Sequence, residues 1–324
     1  MMGPRLAIVI HAEEEFDWSG DFKRSNRDVS HGRHLIHLVE RILTTGAKVT
    51  LAMDHPFVTS ASGKDVVTHF KSREHKSIEF AAHLHPWVNP PFESDLDIVD
   101  NIDSYPGNLT EELELNKLNA LSSAIKDVTG NAPTTYLAGR YGIGENSSKV
   151  LRELGFKVDL SISAYCDFQH QDGPDFSHYT NKTHIKDGIQ YIAHTGSIVS
   201  IIPFVSSYFN QHPSMFSRWH EHRLKRILLK ILRVKRYRLS PEGFQFTHLK
   251  SMTEKQRLIG QEDFVLSFHS PSSKPGCTPY VRTEADLKRF ESNTIDYISW
   301  FKNQLNGEFF LPNEHNISDV DVRS

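Results

Sequence analysis

Seven short apolar or β-branched runs, separated by stretches of helical periodicity, constrain the fold of this chain more than any other feature. They are Leu6 to His11, Lys48 to Met53, Ser77 to His83, Thr134 to Ala138, Lys157 to Ser163, Ser197 to Pro203 and Phe264 to His269. Such an alternation predicts a mainly parallel sheet or barrel, because each parallel connection needs a crossover that is usually a helix. Between the runs, Glu111 to Val128 carries Leu113, Leu115, Leu118, Leu121 and Ile125 at roughly helical spacing, with Thr110 as N-cap and Gly130 as stop. Ser147 to Leu154 and Glu284 to Phe301 read the same way, the second opened by Thr283. With 324 residues and no internal repeat, the length accommodates one large α/β barrel as readily as two ordinary domains.

A formal charge of -3 argues against nucleic acid as the main partner. The apolar run Leu6 to Ile10 is too short for a secretory core and lacks a small-residue cleavage site, so a cytoplasmic location is expected. Cys166 and Cys277 stand far apart and outside any Cys-x-x-Cys spacing. A metal in this chain therefore has to be held by histidine and carboxylate.

Candidate chemistry lies at the ends of the predicted strands. His11-Ala12-Glu13-Glu14-Glu15-Phe16-Asp17-Trp18 follows the first, and His83-Leu84-His85-Pro86-Trp87 follows the third. Residues two apart on a strand share a face, so both imidazoles can converge on one ion. With a carboxylate and an open position for water, they would make a catalytic zinc set. Gly139-Arg140-Tyr141-Gly142-Ile143-Gly144 lacks the spacing of a phosphate loop, and Arg140 is expected to fix a carboxylate. Asp167 is a candidate partner for Arg140 or for a substrate hydroxyl, and His269, at the mouth of the last strand, is the natural general acid. Trp87, Tyr141 and Tyr165, beside these groups, are the expected substrate contacts. All the clusters follow strands, where a barrel gathers its catalytic groups.

Arg218 to Arg238 differs from the rest, being rich in Lys and Arg around Leu224, Ile227, Leu228, Ile231 and Leu232. It predicts a basic amphipathic helix, whose stripe either docks on the barrel or meets an anionic membrane.

In order and wording, HAEEEFDW, HLHPW, GRYGIG, GPDFS and SFHSPSSKPGCTPYV resemble the motifs of the polysaccharide deacetylase superfamily, the NodB-homology carbohydrate esterases. They look closer to its branch associated with bacterial exopolysaccharide and O-antigen synthesis. The resemblance runs from about Leu6 to Phe301. It implies a single α/β domain over 1–324, a distorted (β/α)7-type barrel with a basic insertion at about 205–250. The implied activity is zinc-dependent removal of an N-acyl group from an amino sugar that is nucleotide-linked, lipid-linked or at a polysaccharide terminus, inside the cell or at the inner membrane face. Carried over by residue, it makes Glu13 the base, Glu14 and His83 metal ligands, Arg140 the residue steering the base and His269 the acid. Two departures stand out. The usual Asp-Asp is Glu-Glu, so that strand register can instead make Glu13 the ligand, with His11 or Glu14 beside it. The usual second histidine is Trp87, which leaves His85 as the third ligand. Competing readings are hydrolysis of a small cyclic amide or formamide, and a metal-free sugar-binding protein.

Overall fold

The computed structural model describes residues 3–314. In chain order its strands are β1 (Arg5–Ala12), β2 (Phe22–Lys23), β3 (Val49–Met53), β4 (Ile78–Leu84), β5 (Ile98–Val99), β6 (Thr135–Ala138), β7 (Val158–Asp159), β8 (His184–Lys186), β9 (Ile189–Tyr191), β10 (Gly196–Val199), β11 (Lys235–Arg238), β12 (Asp263–His269) and β13 (Glu308–Phe309). One curled sheet runs β12-β1-β3-β4-β6-β7-β9-β8, with β13 beside the start of β1. Its neighbours pair in parallel, apart from the β8–β9 hairpin. This is the distorted (β/α) barrel that the sequence predicts. Leu6 to Ala12 is buried throughout, because a parallel strand is covered on both faces and has no reason to alternate.

The predicted helices form with their caps. Glu111–Thr129 starts where Leu113 N–H donates to Thr110 Oγ1 at 3.3 Å, and it ends at Gly130 with φ +93°. Glu284–Leu305 opens on a capping box between Thr283 and Asp286.

Three expectations change. Ser197 to Pro203 is no barrel strand, since its first part pairs antiparallel with β11 in a separate ribbon. The barrel position belongs to β9, three residues that are too few to show a period. The basic segment is not one helix but two, Pro213–Glu221 and Arg223–Ile231, followed by β11. Nor is the stripe docked: the second helix buries Leu229 and leaves Leu224, Ile227, Leu228 and Ile231 exposed, since it rests on the body through the opposite face.

Inside the barrel Glu79, level with Thr50 in the sheet, accepts hydrogen bonds from the hydroxyls of Thr50 and Thr135. Burial pushes its carboxyl up to about 7. The native state thus holds a proton that the unfolded chain has already released, and stability should fall as pH rises from about 4.5 to about 7. Glu79→Gln should remove that slope and be more stable than wild type at pH 8 by roughly 2 kcal/mol, as urea unfolding at two pH values would show.

Candidate active site

Three consecutive carboxylates leave β1, and packing gives each a different place. Glu13 points into a cavity, with its amide donating to Ser270 Oγ at 3.1 Å. Glu14 is fully buried behind it. Glu15 accepts from the amide and hydroxyl of Ser30 and contacts His31 Nδ1 at 3.1 Å. Burial would raise the Glu15 carboxyl, but His31 and Ser30 hold it down at about 2.

His83 and His85 leave β4 two residues apart, and their Nε2 atoms lie 3.3 and 3.6 Å from the same Glu13 Oε2. His83 Nδ1–H donates to the Leu137 carbonyl at 2.9 Å, a pairing that fixes its tautomer and leaves Nε2 buried without a hydrogen bond. His85 Nδ1–H donates to Glu14 Oε2 at 2.8 Å. The other Glu14 oxygen accepts Trp87 Nε1–H at 2.9 Å, while the Trp87 ring stacks on His85 at 4.2 Å. Trp87 thus braces Glu14 and His85 from behind. Burial lowers the pKa of both His83 and His85, which keeps them neutral with lone pairs available.

Among the described residues, two acid–imidazole groupings are close enough to hold an ion: His11 with Glu13 and His83, and Glu14 with Asp54 and His85. Of these six, Glu13, His11, His83 and His85 line the cavity, and Glu14 and Asp54 lie behind it. Asp54 is occupied by the amides of Glu14 and Phe57, at 2.9 and 2.7 Å. Burial drives the Glu14 carboxyl up to about 7, and the Glu13 charge adds to the effect. Glu13 behaves in the opposite way: burial would raise it, but His269, His83 and His85 hold it below its ordinary value. The Nε2 atoms of His83 and His85, both facing the ionised Glu13 carboxylate, are a donor set that fits a divalent cation, and His11 Nε2 stands unpaired beside them.

His269 ends β12 level with His11 in the sheet, their rings 4.9 Å apart. Its Nδ1–H donates to Glu242 Oε2 at 2.8 Å. Burial would lower its pKa, yet Glu242 and Glu13 outweigh this and lift it to about 9, so the imidazole is cationic at neutral pH. His194, which follows β9, has its Nδ1 2.9 Å from the Ser267 hydroxyl, and burial with the Arg238 charge takes it down to about 3.

Arg140 and Tyr141 both hold left-handed backbone, φ +56° and +60°, after a glycine whose Cβ would lie 2.5 Å from the Leu84 carbonyl. That turn brings both side chains to the cavity wall. Arg140 stacks on Tyr105 and Phe22 and donates to Asn101, Ser104 and Gln171, with no carboxylate among these partners. Tyr141 OH accepts from Arg238 at 2.7 Å. Asp167 is not brought to Arg140: its carboxylate accepts the Gln169 amide in a local turn. Tyr165, whose OH donates to the Asn210 carbonyl at 3.2 Å, borders with Asp167 a different depression.

The cavity has a volume of about 300 Å³. Its walls are aromatic, from Phe16, Trp18, Phe22, Trp87, Tyr105, Tyr141, Phe168 and Tyr280, and its polar groups include Arg140, Gln171 and Arg238. Asp54, His194, Arg238 and Glu242 join the site beyond the residues that the sequence predicts. His194 and Asp54 follow strands and share that signal, whereas Arg238 and Glu242 reach the site from the ribbon and the segment after it.

No protein-family model and no curated protein sequence matches the chain. Solved structures do. A protein described as a polysaccharide deacetylase, from Pseudomonas aeruginosa PAO1, is 13% identical over 96% of this chain and 88% of that one, with a TM-score of 0.51. The fold is that of the polysaccharide deacetylases. The Puue allantoinase is 12% identical over 96% and 88% of the two chains, at a TM-score of 0.50. A 4-alpha-glucanotransferase from Thermococcus litoralis is 11% identical over 96% of this chain but only 40% of its own, again at 0.50. At such identities the likeness is one of architecture, shared by several chemistries.

Glu242→Gln removes the carboxylate that keeps His269 charged. The His269 pKa should drop from about 9 towards the ordinary imidazole range, measured by NMR titration of its ring protons in the two proteins.

Proposed function

We propose that this protein is a divalent-metal-dependent amide hydrolase that removes an N-acyl group from a sugar. The reading is carried by one observation, the convergence of Glu13 and the Nε2 edges of His83 and His85 on a single cavity. These three residues would hold the cation, and two imidazoles with one carboxylate make zinc the first choice. Bound there, the ion would supply a Lewis acid for the acyl carbonyl and acidify a water molecule at neutral pH.

The chain's own groups do the remaining work. Glu14 and Trp87 hold the His85 ring in place. His11, neutral and with Nε2 unpaired at the cavity wall, takes the proton from the attacking water. His269, charged through Glu242, gives its proton to the departing amine. This allocation makes Glu13 a ligand and Glu14 the support of His85. The family resemblance favours the other arrangement, with Glu14 as ligand and Glu13 as base. Aromatic walls with Arg140, Gln171 and Arg238 between them suit a sugar, which offers apolar C–H faces and hydroxyls together. A nucleotide-linked, lipid-linked or polymer-terminal amino sugar in bacterial surface-polysaccharide or O-antigen assembly, met in the cytoplasm, completes the proposal.

Glycan transfer, the chemistry named for the glucanotransferase, is disfavoured. Paired-carboxylate enzymes need two acids facing across the bond, and Glu13 is the one carboxylate among the described residues that line the cavity.

Metal analysis of the purified protein should give one divalent ion per chain. Glu13→Gln should lose both metal and hydrolysis, whereas His11→Asn should keep the metal and lose about 10² or more in kcat. A Glu13→Gln protein that retains its metal would instead make Glu13 the base. Loss of neither metal nor activity in Glu13→Gln and His83→Ala ends the proposal, and a panel of N-acyl sugars against cyclic ureides reads the substrate class.

A further inference from the structure

The helix Arg223–Ile231 presents Leu224, Ile227, Leu228 and Ile231 at spacings of three and four, one face of a helix, and all four are exposed, Leu224 by 81% and Ile231 by 65%. The patch continues beyond this helix: Ile201, also exposed, donates its amide to the Leu232 carbonyl, and Phe204, in the helix Pro203–Gln211, is 77% exposed. Around it the sequence 218–236 holds eight Lys or Arg against a single acid, Glu221. Scattered apolar residues on a surface need no explanation, but a contiguous stripe set in one sign of charge does.

We propose that this patch docks the protein on an anionic lipid surface. The charge decides the occupant. A second copy in a symmetric dimer would bring the same cations face to face, and like charges across an interface are costly. Acidic headgroups attract them, while the Leu and Ile side chains enter the acyl boundary. With nine residues the helix is about 14 Å long, too short to cross a bilayer, so it lies in the interface plane. Among the described residues no helix is long and apolar enough to span a membrane. The strand leaving the patch, β11, ends with Arg238 in the cavity wall, so a surface-borne substrate would meet the site from this side. Docking does not rest on the reaction proposed above, and each can fail without the other.

The test is co-sedimentation of the full chain with vesicles of phosphatidylcholine alone or mixed with phosphatidylglycerol. Wild type should sediment with the mixed vesicles only and be released by high salt. Lys225→Gln should weaken partitioning about fivefold, and Leu224→Gln with Ile231→Gln by more than tenfold. Both apolar positions are exposed, so circular dichroism and the melting temperature should match wild type. Failure of wild type to bind anionic vesicles, or equal binding by the double variant, overturns the proposal. So does a wild-type dimer in size-exclusion light scattering that becomes a monomer in the double variant, since the patch would then serve a second copy.

Discussion

A carboxylate without water must be met by donors, and Glu14 sits where no water reaches it. Two side chains meet it, the Nδ1–H of His85 and the indole N–H of Trp87. Because His85 gives one nitrogen to Glu14, its other nitrogen is turned towards Glu13 and the cavity. Stacking of Trp87 on the imidazole removes the remaining rotational freedom. The tryptophan that stands where the resembling family has a histidine therefore holds His85 in place. A carboxylate behind a histidine is a recurrent way of fixing tautomer and direction at metal centres.

Partner choice also separates the histidines of the site. His11, His83 and His194 are buried without a carboxylate strong enough to offset desolvation, and each is pushed towards the neutral form. His269, a little more open than they are, faces Glu242 and Glu13, and it keeps its proton. One residue type thus supplies both lone pairs and a proton within one cavity, a separation of acid from base by environment alone. Around these groups the wall is aromatic, which restricts water and strengthens the electrostatic contacts inside.

How far the molecule can be read from its residues follows from the range of each signal. Alternation of strands and helices is local, so β1, β3, β4, β6 and β12 and the capped helices emerge from periodicity and cap chemistry. The placement of Glu13, His83, Arg140 and His269 after strands follows too, since parallel strands bring those ends to one face. Shorter elements escape: β9 offers three residues, and Ser197 to Pro203 has the composition of a barrel strand while pairing in a ribbon. The direction of a side chain after its strand is not local either. Arg140 turns to Tyr105 instead of a carboxylate, Asp167 closes its own turn, and Tyr165 faces another depression.

By itself, then, the sequence determined a parallel α/β barrel, a set of strand-end histidines and carboxylates, and a basic segment with an apolar stripe, because each is written in residue type at short spacing. Tertiary structure alone decided which of Glu13, Glu14 and Glu15 faces the cavity, that Glu242 and Arg238 join the site, and that the stripe of residues 224–231 stays uncovered. Adjacent residues leaving a strand have no period left to orient them. Their directions are settled by which buried donors and acceptors they meet, and those partners come from remote parts of the chain.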